Sequence, residues 1–204
     1  MVRSTKPRRR RYKLGRRAET AGETKRRIVE ATFALHSELG IAETSMKDIA
    51  ERAGVSIGTV YHHFPSYTDA VIACGAYVAA NRPAPTAAVF EGAATRRDRI
   101  ARLARAVFEY YERVPALDSV RRDRHLVAEL DAFAREEERN RRALAADAVG
   151  AGGPFALFAA LLDIDVYRSL QRQGFGTAEA ADRVAAMISL ALESTAGDER
   201  RLQR

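Results

Sequence analysis

A single cysteine in 204 residues leaves nothing from which to build a disulfide framework or a cysteine-ligated zinc finger. The one thiol, Cys74, lies in an apolar stretch with Ile72, Ala73 and Ala76 and reads as buried structural cysteine. Proline (6) and glycine (13) are sparse and fall at breaks between periodic stretches, so helices are expected and strands are not. No apolar run approaches the ~18 residues of a membrane span, and the longest near-apolar stretch covers only 70–80. The basic start is followed by no apolar segment of the kind a secretory signal needs, so a cytoplasmic protein with no membrane partner is expected. None of the four histidines, His36, His62, His63 and His125, has a metal-ligand partner four residues on with a glutamate between. No glycine-rich loop follows a strand either, so no metal, cofactor or catalytic residue is expected.

What the chain does have is charge, unevenly spread. Residues 1–27 hold twelve lysines and arginines against Glu19 and Glu23, a formal +10 that leaves −3 for the rest of a chain whose total is +7. A basic arm on a mildly acidic body points to a polyanion, most commonly nucleic acid. The plainer alternative is a solvated tail with non-specific affinity. At 47% apolar and 30% charged residues most of the chain reads as globular, and its 204 residues suit one or two domains.

Beyond the arm the periodicity is helical throughout. Over 23–39, Ile28, Ala31, Thr32, Leu35 and Leu39 share a face, and Gly40 stops the helix. Ser45 with Asp48 three residues on forms a capping pattern for a helix over 46–53. Gly54 ends that helix, Ser56 caps another to His63, and Ser66 with Asp69 opens a longer one to Asn81. Over 98–114 the apolar face is Ile100, Leu103, Val107, Tyr110 or Tyr111, and Val114, with Pro115 ending the run. A helix carrying Leu126, Leu130 and Phe133 then runs through the charged stretch 135–142 toward Val149. After a hinge at Gly150, Gly152, Gly153 and Pro154, two last helices are expected over 155–172 and 178–194, the second capped by Thr177. Both are apolar on more than one face, which predicts burial against a partner as well as the core, hence a homodimer.

The segment 44–64, TSMKDIAERAGVSIGTVYHHF, has the spacing of a helix-turn-helix. Ile49, Ala50, Val55 and Val60 form its small core, and Gly54 sits where the chain must turn with positive φ. The second helix then shows Ile57, Gly58, Thr59, Tyr61, His62 and His63 outward, a face of short polar groups and rings that suits the major groove.

These residues resemble the TetR family of bacterial transcriptional regulators, most densely over 44–71 and more weakly over 163–192. The resemblance implies an all-α fold: an N-terminal three-helix DNA-binding domain (23–70) after a basic, flexible arm (1–22), then an all-helical regulatory and dimerisation domain (71–204). It implies phosphate contacts by Thr44, Ser45 and Lys47 near a helix N-terminus. Ser56, Ile57, Gly58, Thr59 and His62 would face the groove, with Tyr61 and His63 clamping the DNA backbone. Tyr67 stands where the family usually has lysine, so that phosphate contact is weaker or falls to the tyrosine hydroxyl. His36 replaces an aromatic or aliphatic residue and reads as structural. Arg8–Arg11 either enter a neighbouring minor groove or attract phosphate in general.

The resemblance further implies a pocket between the later helices for a small-molecule effector, with candidate lining from Phe90, Phe108, Tyr111, His125, Phe133, Phe158 and Tyr167. The function implied is a ligand-responsive regulator, a repressor that binds a palindromic double-stranded DNA operator as a homodimer through its last two helices. The helix from Ser66 would transmit the effector's preference between the domains. Repression or activation is not set by the sequence. The alternatives are a non-specific or architectural DNA-binding protein without an effector, and an enzyme whose pocket lies unrecognised in the C-terminal half.

Overall fold

The computed structural model describes residues 8–202, with side chains described over 21–194. Every regular element among them is helical, and contacts divide the chain into two units between Tyr77 and Val78. The sequence boundary was expected at residue 70.

The first unit holds α1 (Arg8–Glu38), α2 (Met46–Ala53), α3 (Ile57–His63) and most of α4 (Tyr67–Asn81). Helix α1 starts earlier than the apolar periodicity predicts. Of the arm expected over 1–22, the first seven residues lie outside the described ones, and so do the side chains of Arg8–Arg11 on which the minor-groove expectation rests. Gly40 ends α1 with φ 103°. Ile28, Thr32 and Leu35 are buried as their spacing requires, whereas Leu39 is 51% exposed because the helix has ended before it. Helix α2 opens on the complete capping box: Asp48 N–H donates to Ser45 Oγ, and Ser45 N–H donates to the Asp48 carboxylate at 2.9 Å. Gly54, at φ 64°, donates its N–H to Ala50 and Glu51, and so reverses the chain into Ser56, the N-cap of α3. Ser66 and Asp69 repeat the box at the start of α4. Ile28, Leu35, Ile49, Ala50, Val60, Phe64 and Ala70 close over one another as the core of this unit.

The second unit contains α5 (Arg96–Arg113), α6 (Ala116–Asp123), α7 (Ala128–Val149), α8 (Phe155–Leu161), α9 (Ile164–Arg172) and α10 (Thr177–Leu202). Helix α5 lies along α10, where Ala180, Ala181, Val184, Ala185 and Ile188 are buried, the three alanines being small enough to permit a close approach. Both Tyr110 and Tyr111 are buried on α5.

Three expectations for this half are corrected. Pro115 follows the end of α5 as expected and caps a further helix, α6, which an extended Val127 (φ −141°) separates from α7. Leu126 therefore sits on a 3-10 turn, half exposed, rather than on the apolar face of α7. The helix expected over 155–172 is broken at Asp163, whose carboxylate accepts the Asp165 N–H and caps α9. Thr177 is not an N-cap. Ala180 N–H reaches the Gly176 carbonyl instead, and the Thr177 hydroxyl bonds to Glu112 and Tyr167.

Among the described residues no helix is long and apolar enough to cross a membrane.

Candidate nucleic-acid interface

Helix α3 is seven residues long and held by one buried side chain, Val60. The pitch of a helix then fixes which residues face away. Ser56, Ile57, Gly58, Tyr61 and His62 are exposed, and Thr59 and His63 are half-buried. Ser56 Oγ accepts the Thr59 N–H at 3.1 Å and pairs with the Thr59 hydroxyl at 2.8 Å, so the two hydroxyls at the start of α3 are held in place. Ile57 and Tyr61 are 46% and 48% exposed, large for side chains without a partner. Burial, with His62 and Lys25 nearby, holds the His63 imidazole below the ordinary histidine range.

Nothing inside the chain requires glycine at position 58. Its φ is not positive, and a Cβ added there would meet nothing closer than Ser56 Oγ at 3.8 Å. The missing side chain leaves the backbone of α3 open to close approach from outside.

The other sequence candidates sort differently. Lys47 is exposed on the first turn of α2. Ser45 is exposed, but its hydroxyl hydrogen is directed to Asp48 at 2.6 Å. Thr44 is buried and donates its hydroxyl hydrogen to the Gly40 carbonyl at 2.7 Å, so its side chain has no proton left to offer a phosphate. Tyr67 likewise turns inward, donating to the Ile41 carbonyl at 2.6 Å. A phenol has one hydrogen, so the 3.0 Å contact between Tyr67 Oη and His36 Nε2 requires the histidine to donate. The two positions that depart from the TetR pattern are thus one hydrogen-bonded pair, with His36 buried as expected.

In the second unit, Phe108, Tyr111 and Tyr167 come together with ring centroids 5.0–6.3 Å apart, as packed core. Phe158 is fully buried, Phe90 is covered by the Arg99 guanidinium at 4.1 Å, and His125 is exposed on a 3-10 turn. Of the seven candidates, Tyr111 and Phe133 line a cavity of about 40 Å³, beside Glu137 and Arg141. Sequence reasoning missed those two charged residues. The signal was present: Leu130, Ala134, Glu137, Arg141 and Leu144 follow helical spacing on one face, and the apolar members are buried.

Residues 28–73 match the sequence pattern of the bacterial regulatory proteins of the tetR family. Among curated relatives, the transcriptional repressor KstR of Mycolicibacterium smegmatis is 43% identical over 49 residues, covering 24% of each chain. The regulator TtgR of Pseudomonas putida is 41% identical over 56 residues, covering 28% of this chain and 27% of that one. Residues 28–73 are thus similar to the DNA-binding segment of the tetR family. The match spans about a quarter of the length of these relatives. Solved structures extend the likeness in fold. A TetR-family regulator from Rhodococcus superposes with a TM-score of 0.59 at 20% identity, covering 83% of this chain and 98% of that one. The multidrug binding protein EbrR, complexed with malachite green, gives 0.55 at 20% identity, over 82% and 96%. The TetR architecture of an N-terminal helix-turn-helix followed by further helices therefore holds for this chain.

Proposed function

We propose that the protein is a ligand-responsive transcriptional repressor that binds a palindromic operator as a homodimer. The observation that carries the reading is the outer face of α3: an exposed helix of short hydroxyls, one absent side chain, Tyr61 and His62, behind a turn fixed by Gly54. Such a helix fits the major groove, with Gly58 admitting the DNA and Tyr61 reaching a phosphate. Lys47 supplies charge at the start of α2, and Thr44 and Tyr67 leave the phosphate-facing set.

Dimerisation follows from apolar surface left uncovered. Leu157 on α8 and Met187 and Leu190 on α10 are 47%, 47% and 64% exposed. Of the two helices expected over 155–172 and 178–194, the pairing face we propose is α8, the first part of the former, with α10, since α9 directs Ile164 and Tyr167 inward. Two recognition helices about one turn of DNA apart, ~34–36 Å or a multiple, would meet successive half-sites. An effector that prefers another spacing weakens operator binding by ~1–3 kcal/mol of coupling. EbrR, of the same fold, is a small-molecule binder, which supports an effector site in the second unit.

Selection of bound duplexes from a random pool, at a stated salt concentration, tests the reading. A palindromic consensus is expected. Scattered binding whose salt dependence flattens by ~0.9 per lost phosphate contact when residues 1–20 are removed would instead give the basic arm the main role, and with it a non-specific function.

A further inference from the structure

Helix α7 brings two charged residues into the interior of the second unit. Glu137 is half-buried and Arg141 has 17% of its side chain exposed, on the face that also buries Leu130, Ala134 and Leu144. Two cavities, of about 40 and 10 Å³, share Tyr111, Glu137 and Arg141 as lining.

The surrounding charges are nearly all answered. Asp163 takes both Arg121 and Arg141, the latter at 2.8 Å, and Asp165 takes Arg121 at 3.2 Å. Arg124 holds Asp131 at 2.7 Å and Glu138 at 3.0 Å. Glu137 alone among these acids has neither an ion pair nor a hydrogen bond among the described residues. A carboxylate withdrawn from water without a partner is costly, and it is relieved by protonation or by a cation. Burial does push the Glu137 carboxyl above the usual range, against the pull of Arg141. Around it stand the rings of Tyr110 and Tyr111 across the smaller cavity, and those of Tyr111 and Phe133 around the larger. Aromatic faces beside a carboxylate favour an organic cation over a hydrated metal ion.

We infer that Glu137 receives the ammonium group of an apolar organic amine, and that the effector of this unit is a lipophilic cation. The inference rests on the reading of the second unit as effector-binding. The 40 Å³ cavity holds a head group, and the body of the ligand lies through its mouth against Leu117, Val120 and Ile164. An anion is the competing occupant. The buried Nε of Arg141 has no acceptor, although the charge of that guanidinium is already met by Asp163.

One carbon skeleton with three head groups separates these cases: 3,3-dimethylbutylamine, 3,3-dimethylbutan-1-ol and 3,3-dimethylbutanoate, titrated calorimetrically into the full-length protein at neutral pH. The amine should bind at least about ten-fold more tightly than the alcohol, as a charge-assisted contact with a desolvated carboxylate requires. Glu137→Gln should abolish that preference, and Glu137→Asp should keep it. Equal binding of amine and alcohol, strongest binding of the carboxylate, undiminished preference in Glu137→Gln, or no binding of any probe overturns the inference. Should Glu137→Gln fail to fold, the amine-to-alcohol ratio of the native protein decides alone. No DNA is present, so a negative result leaves operator recognition untouched, and a failure of operator recognition leaves this measurement standing.

Discussion

Gly58 carries a cost that the isolated chain does not explain. Glycine in a helix is less favourable than alanine by roughly 0.5–1 kcal/mol, and here neither backbone conformation nor packing demands it. Gly58→Ala should therefore raise the stability of the DNA-free protein by roughly 0.5–1 kcal/mol in urea unfolding. The same change should weaken operator binding, because the added methyl stands where the groove must approach. Tyr61 and Tyr67 make an opposed pair. Tyr61→Phe should weaken all DNA sequences alike and leave stability unchanged, since its ring is half exposed. Tyr67→Phe should cost about 0.5–1.5 kcal/mol of stability by removing its hydrogen bonds to the Ile41 carbonyl and to His36, with no change in the salt dependence of DNA binding. These roles of Tyr67 and Thr44 were not legible in the sequence. Both hydroxyls are consumed by carbonyls of the bend at Gly40 and Ile41, and a motif does not show where a bend directs its carbonyls.

At the scale of elements, legibility follows how local the stabilising contacts are. The boundaries of α2, α3 and α4 could be read directly because Ser45, Asp48, Gly54, Ser56, Ser66 and Asp69 act within three or four residues of themselves. The break between α8 and α9 could not. Leucines and alanines run through it, and what holds it open is Asp163 engaging Arg121 and Arg141 from two other helices. Asp163→Ala should then cost ~3 kcal/mol, since it removes a cap and leaves two guanidinium groups without their shared acid. Loss of helical circular dichroism at lower denaturant concentration measures it. The end of α3 has its own sensitivity to acid. His63 is held below its ordinary range, so its neutral form is favoured in the folded state and nothing changes above the unfolded value near 6.5. Stability is lost as pH falls from there through the lowered folded value. The urea midpoint should drop between pH 7 and 5.5, and drop less in His63→Gln.

At the scale of the whole molecule, the apolar residues on α8 and α10 bear on assembly. Met187→Glu with Leu190→Glu places two charges on surface that is already exposed in the single chain, so folding should survive. Sedimentation should then report a monomer, and affinity for a two-half-site operator should fall toward that of a single half-site. A dimer that persists would move the pairing face elsewhere. The sequence announced the need for such a face through helices apolar on several sides. Assigning the proposed face to α8 with α10 depended on the break at Asp163.

The solitary Cys74 makes the protein its own reporter. The thiol is 4% exposed on α4, and burial pushes its pKa up to about 12, so folded molecules present almost no thiolate at neutral pH. Alkylation must await an opening of the packing around Cys74, and no second cysteine competes for reagent. The labelling rate, divided by that of the unfolded chain, therefore counts the fraction of molecules open at any instant. Followed with and without operator, one mass-spectrometric trace would express DNA binding as closure around α4, with no probe attached.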